Sequence, residues 1–148
     1  MRDRPKRFDF PVPRGGLVTK AGMVRGVIYV PSTTRKDKQI SDATMVKRVR
    51  LVSKAVSKIF GGDTVQRASQ GNWVDDRGRL VKEKIVRIEF FTDMKNYNKY
   101  DAKLGRLLHK LAKKWGQWAI SYEYQSPKKK RALYFIHPVN YNKLKKVM

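Results

Sequence analysis

Lysine and arginine recur along this chain at spacings that collect them on single helical faces. Lys47, Arg50, Lys54 and Lys58 fall within a sector of about 80° when the segment turns at about 100° per residue. Lys95, Lys99, Lys103, Arg106 and Lys110, with Lys113 and Lys114, fill a second sector of roughly 100°. A solvated helix face usually mixes signs, gaining pairs between residues three or four apart. Acids are nearly missing from both of these faces. A single-sign surface suits a phosphate backbone, because each cation that meets a phosphate releases a condensed counterion. More basic residues lie outside the helices: Arg4, Lys6, Arg7 and Arg14 near the N-terminus, Arg35 and Lys36 in a loop, and Lys128, Lys129, Lys130 and Arg131 in a turn. The chain holds 35 Lys+Arg against 12 Asp+Glu in 148 residues, a formal net charge of +23. Self-repulsion on that scale disfavours a compact state unless a polyanion neutralises it.

Groups for covalent or metal chemistry are scarce. The absence of Cys excludes disulfides, thiol catalysis and cysteine-rich zinc sites. Tyr100-Asp101-Ala102-Lys103 resembles the helix-borne Tyr-x-x-Lys of relaxases and rolling-circle replication initiators, which would make Tyr100 a strand-transfer nucleophile. Those enzymes also need a pair of metal-binding histidines, and His109 and His137 are not spaced as one. Tyr100 falls on an apolar stripe and reads as a core residue. Metal-dependent nucleases need clustered carboxylates. Asp63, Asp75, Asp76, Glu83, Glu89 and Asp93 are scattered; Asp75-Asp76 suits a turn, and Glu83 reads as a charge partner among lysines. The expectation is a non-enzymatic protein with no metal and no cofactor.

The elements that position these residues follow from periodicity. Residues 1–25 carry Pro5, Pro11, Pro13 and Gly15-Gly16 and read as a basic extended arm, since this density of Pro and Gly prevents regular structure. Gly26 to Thr33 predicts a strand that stops at Pro31. Ser41 is an N-cap and Asp42 complements the dipole of a helix over 42–60, whose apolar stripe is Met45, Val49, Val52, Val56 and Ile59. Gly61-Gly62 ends it. Strands over 63–73 and 80–92 flank a turn at Asp75–Gly78. A second helix over 93–115 carries Tyr100, Leu104, Leu107, Leu108, Leu111 and Trp115 on its inner stripe. Strands over 118–124 and 132–136 close the chain. The order predicts an α+β fold: a ferredoxin-like split β-α-β-β-α-β antiparallel sheet with two helices on one face and an extra C-terminal strand. The folded domain spans 26–137 and a basic C-terminal tail spans 138–148.

Ile28-Tyr29-Val30-Pro31-Ser32-Thr33 resembles the first-strand motif of the RNA recognition motif, whose aromatic ring stacks on a base. Its companion motif is absent from Lys84–Phe91, which lacks the glycines and contains Glu89. Tyr29 and Phe91 remain candidates for base stacking on the open sheet face, beside Arg87. Phe60-Gly61-Gly62-Asp63-Thr64, Gly71-Asn72-Trp73, the run Gly78–Lys84 and Ile88-Glu89-Phe90-Phe91 together resemble a loosely defined group of small ferredoxin-like proteins of microbes and their viruses. That resemblance implies the fold and carries no activity.

The composition, with 41% hydrophobic residues and 3 Trp, 7 Tyr and 6 Phe, is that of a folded domain. No apolar run reaches the roughly 20 residues of a membrane span. A cytoplasmic or virion-internal protein is expected. Its partner is expected to be nucleic acid, with RNA or a ribonucleoprotein ahead of DNA, contacted mainly at phosphates. The alternatives are a nucleic-acid-processing enzyme, either a degenerate replication initiator or relaxase or a metal-dependent nuclease, and an assembly protein that binds an acidic partner.

Overall fold

The computed structural model describes residues 24–34, 38–74, 77–127 and 131–138. They form β1 (Val24–Pro31), α1 (Asp42–Phe60), β2 (Thr64–Val74), β3 (Leu80–Thr92), α2 (Met94–Lys114), β4 (Ile120–Gln125) and β5 (Ala132–Ile136). The strands make one sheet in the order β2-β3-β1-β4-β5, antiparallel at every pairing. Strands β1 to β4 with the two helices are the ferredoxin-like split β-α-β arrangement, and β5 extends the sheet beyond β4.

Alternation along the strands sorts the side chains to two faces. Val24, Ile28 and Val30 of β1, Ile88 and Phe90 of β3, and Ile120, Tyr122 and Tyr124 of β4 join Val52, Val56 and Phe60 of α1 and Leu104, Leu108 and Leu111 of α2 in a single core. Phe90 lies at its centre, stacked on Phe60 with ring centroids 4.3 Å apart. The same ring explains Gly26, which pairs with Phe90 across the sheet: a Cβ there would sit 2.3 Å from the ring, closer than any packed side chain tolerates. The opposite face bears Arg25, Tyr29, Arg87, Glu89, Phe91 and Glu123, in register across β3, β1 and β4, and among the described residues no helix covers it.

Helix boundaries follow the capping chemistry. The Ser41 hydroxyl accepts from Thr44 N, and Gly61 at φ 92° closes α1 in the left-handed region that glycine adopts without a Cβ penalty. Asp93 caps α2 by accepting from Asn96 N. Tyr100 is half-buried and packs against the core, as its place on the stripe requires. Two expectations need correcting. Strand β1 begins at Val24 rather than Gly26, because Val24 is fully buried and Arg25 finds carboxylate partners on β3 and β4. The buried set of α1 also includes a charge, Arg48, which is 6% exposed.

Candidate functional site

At the end of β1 the chain leaves the sheet through a short loop held almost entirely by side chains. Arg48 Nη1 of α1 donates to the carbonyls of Pro31 (2.7 Å) and Thr33 (3.0 Å), while its guanidinium lies over the Trp115 ring at 4.7 Å. Gln117 Nε2 donates to the same Thr33 carbonyl at 2.7 Å. Burial pulls the Arg48 guanidinium below its ordinary pKa, and the nearby charge of Glu83 opposes that shift. A bridge between Thr33 and Gln39 and the bond from Ile40 N to Ser32 O (2.9 Å) return the chain to the N-terminus of α1.

This clamp aims two donors at one carboxylate. Glu83 of β3 is 8% exposed, and its Oε1 accepts from Thr33 Oγ1 at 2.6 Å and from Ser32 N at 3.2 Å. Ser32 Oγ in turn accepts from Lys84 N and donates to Gln39 Oε1. Both direct partners of Glu83 are neutral, and no ion pair to it occurs among the described residues. Beside this carboxylate lies a cavity of about 400 Å³ lined by Ser32, Gln39, Ile40, Asp42, Met45, Gln70, Lys82, Glu83 and Lys84. Its walls therefore offer carboxylates, amides, ammonium groups and two apolar side chains within one small volume. Such a set suits a polar organic molecule carrying both a cationic centre and an anionic end. Among the described residues no three His, Asp or Glu side chains gather as a metal site.

The open sheet face holds a second cluster of different character. Glu123 accepts from Arg25 (3.3 Å), Tyr29 (2.9 Å) and Arg131 (3.0 Å), and Arg25 Nε also pairs with Glu89. Burial alone would raise the Glu123 carboxyl, but hydrogen bonds from Arg131 and Tyr29, with the Arg131 and Arg25 charges, hold it below its usual value. Tyr29 is pushed up, first by burial and then by its bond to Glu123.

The residues singled out from the sequence divide by location. Lys47, Arg50, Lys54 and Lys58 on α1, and Lys95, Lys99, Lys103, Arg106 and Lys110 on α2, are exposed. None of them lines the Glu83 cavity. Tyr29 and Phe91 share the open face with Arg87, but the Tyr29 hydroxyl is engaged by Glu123, and Phe91 is 51% exposed. Arg131 is a partner of Glu123. Arg4, Lys6, Arg7, Arg14, Arg35, Lys36, Lys128, Lys129 and Lys130 lie outside the described residues, as does the tail beyond 138. Glu83 was misread: it is a buried acceptor on a cavity wall, not a surface partner for its flanking lysines. Its place in the Gly78–Lys84 run was the available signal.

No protein-family model matches the chain, and no curated protein sequence does. Two solved structures match. One is a phage SAM lyase in complex with S-methyl-5′-thioadenosine, with a TM-score of 0.59 and 19% identity over 82% of this chain and 96% of that one. The other is a phage SAM lyase in the apo state, at TM-score 0.60 and 20% identity over 85% of this chain and 99% of that one. The likeness is one of fold. It nonetheless overturns the expectation of a non-enzymatic nucleic-acid binder, since the solved proteins that share this architecture almost end to end are an enzyme. Charge alone had carried that expectation, and charge reports solubility and long-range attraction rather than what a fold does.

Proposed function

We propose that this protein is an enzyme, a lyase acting on S-adenosylmethionine or a closely related adenosyl sulfonium, with its site in the cavity beside Glu83. The observation that supports this most directly is the Glu83 carboxylate itself, buried on the wall of an approximately 400 Å³ cavity and held by neutral donors. That volume lies within the range of about 300–1,000 Å³ usual for small-molecule sites. S-methyl-5′-thioadenosine, the molecule bound in one of the matching structures, is S-adenosylmethionine without its four-carbon amino-acid arm. Forming it breaks the bond between sulfur and that arm: the bonding electron pair returns to sulfur while an oxygen of the arm's own carboxylate bonds to the released carbon, so the arm leaves as a five-membered lactone and no further reactant is needed.

Each wall of the cavity has a role in this reading. The Glu83 carboxylate attracts the positive end of the substrate, and because its side chain is largely buried the attraction is less screened than at a fully exposed site. Thr33 and Ser32 fix its orientation before substrate arrives, which avoids reorganisation during the reaction. Lys82 and Lys84 accept the carboxylate of the arm, Gln39 and Gln70 supply amide edges for the purine, and Ile40 and Met45 give it an apolar wall. The test is incubation of the purified protein with S-adenosylmethionine and chromatography for S-methyl-5′-thioadenosine. The expected result is its protein-dependent release, together with tighter binding of the sulfonium than of S-adenosylhomocysteine, the neutral thioether. No product and no preference between sulfonium and thioether would overturn the reading.

A further inference from the structure

We propose a second ligand site on the face of the sheet opposite the helices, one that binds a small oxyanion through Arg87. The site is a cavity of about 250 Å³ whose polar walls include Arg25, Tyr29, Arg87, Glu123, Gln125 and Arg131. It is distinct from the Glu83 cavity, with which it shares no lining residue.

Among the described residues the local pairing leaves one cation over. Glu123 is taken up by Arg25, Arg131 and Tyr29, and Glu89 by Arg25. Three guanidiniums therefore face two carboxylates, and both carboxylates are already engaged. Arg87 sits directly opposite Tyr29 across the β1–β3 ladder, yet among the described residues no hydrogen bond or ion pair involves it, and its Nε is buried without an acceptor. A guanidinium in that position lacks a partner of one chemistry: a planar or tetrahedral oxyanion that accepts two parallel N–H bonds. Nearby Arg131, 72% exposed in its side chain, can swing to add a second cation without leaving the cavity wall.

Size narrows the ligand further. A volume of about 250 Å³ seats a carboxylate or phosphate group with a few attached atoms, and it falls below the roughly 300–1,000 Å³ usual for larger organic ligands. The shared chemistry is the oxyanion, and its source is either a small carboxylic acid or inorganic phosphate.

Isothermal titration with acetate and with phosphate, each against chloride at matched ionic strength, separates the two sources and tests the site. Saturable binding of either anion is expected, weakened about tenfold or more by Arg87→Gln and largely kept by Arg87→Lys. Lys99→Gln, which removes a charge from α2 far from the cavity, should leave it unchanged. Circular dichroism checks that Arg87→Gln folds. If neither anion binds beyond chloride, or if Lys99→Gln weakens binding as much as Arg87→Gln, the effect is general charge and the site does not exist.

Discussion

Glu83 on β3 and Glu123 on β4 are both buried carboxylates of one sheet, on the two strands that flank β1, and their surroundings are opposite. Glu123 is ringed by two guanidiniums and a phenol, so its charge is matched and its role is to tie β1, β4 and the segment before β5 together. Glu83 is held by a hydroxyl and a backbone amide. The Arg48 guanidinium, near enough to feel its charge, gives its hydrogen bonds to the Pro31 and Thr33 carbonyls instead. A buried charge without a paired ion is expensive for a fold to keep. Placing one on a cavity wall makes sense if a cationic ligand completes it, whereas the Glu123 cluster is nearly complete without one.

The largest expected consequence is a separation of activity from stability. Glu83→Gln keeps the shape and loses the charge, and kcat/KM for S-adenosylmethionine should fall by about 10- to 100-fold, the weight of a hydrogen bond or contact to a charged group. Thermal stability should change little, since the amide still accepts from Thr33 and Ser32, while the buried Arg48 loses a nearby opposing charge. A variant that unfolds while cleaving normally when folded would reverse the assignment of the two carboxylates.

Glu123→Ala should do the converse, lowering stability by about 1–3 kcal/mol in chemical denaturation because a Tyr29 hydroxyl and two arginines lose their acceptor; the exposure of Arg131 keeps the figure at the lower end. The pH dependence sharpens this. The folded-state pKa of Glu123 lies below its ordinary 4.5, so its contribution is complete above that value and disappears as pH falls through the depressed one. Acid denaturation of the Glu123→Ala variant should therefore be flatter than that of the parent below about pH 4.5. Equal acid limbs would remove the ion-pair account.

Thr33→Val tests whether the clamp, and not only the charge, matters. It deletes the 2.6 Å bond to Glu83 and leaves the Ser32 amide in place. Loss of one such bond, about 1 kcal/mol, should lower kcat/KM roughly fivefold with kcat affected more than KM, because the bond orients a group already present.

The fold was legible from the sequence because its signals are local. The Ser41 and Gly61 caps, the stripes of α1 and α2, and the alternation of β3 each depend on neighbours within a few residues, and each element formed where those signals placed it. The site was not legible for the opposite reason. Glu83 meets Thr33 fifty residues away, and Arg48 reaches back to Pro31 and forward to Trp115, contacts that no spacing rule encodes. Arg48 was hidden within a helix whose other charges are exposed, and Glu123 stood between two core tyrosines without a motif around it. The abundant signal, the basic helix faces, belongs to the surface layer and drew the functional reading away from the cavity.

Those faces still bear on the comparison, with the smallest effect of the set. S-adenosylmethionine carries a sulfonium, an ammonium and a carboxylate, a net single positive charge, and it approaches a chain of formal net charge +23. On the proposed function, the long-range field therefore repels the molecule that Glu83 would attract at short range. The Debye length shrinks from about 30 Å at 0.01 M salt to about 8 Å at 0.15 M, which screens the distant lysines of α1 and α2 far more than a buried carboxylate in contact with its ligand. If Glu83 is the group that holds the sulfonium, kcat/KM should rise about two- to fivefold over that salt range, against the usual trend for oppositely charged partners. Binding of neutral S-methyl-5′-thioadenosine should stay flat. Neutralising Lys47, Arg50, Lys54 and Lys58 to Gln removes four of the 23 net charges and should shift the low-salt rate part of the way toward the high-salt one. A rate that falls with salt would mean that the substrate meets a net negative field, and the site would have to be sought among charges other than those around Glu83.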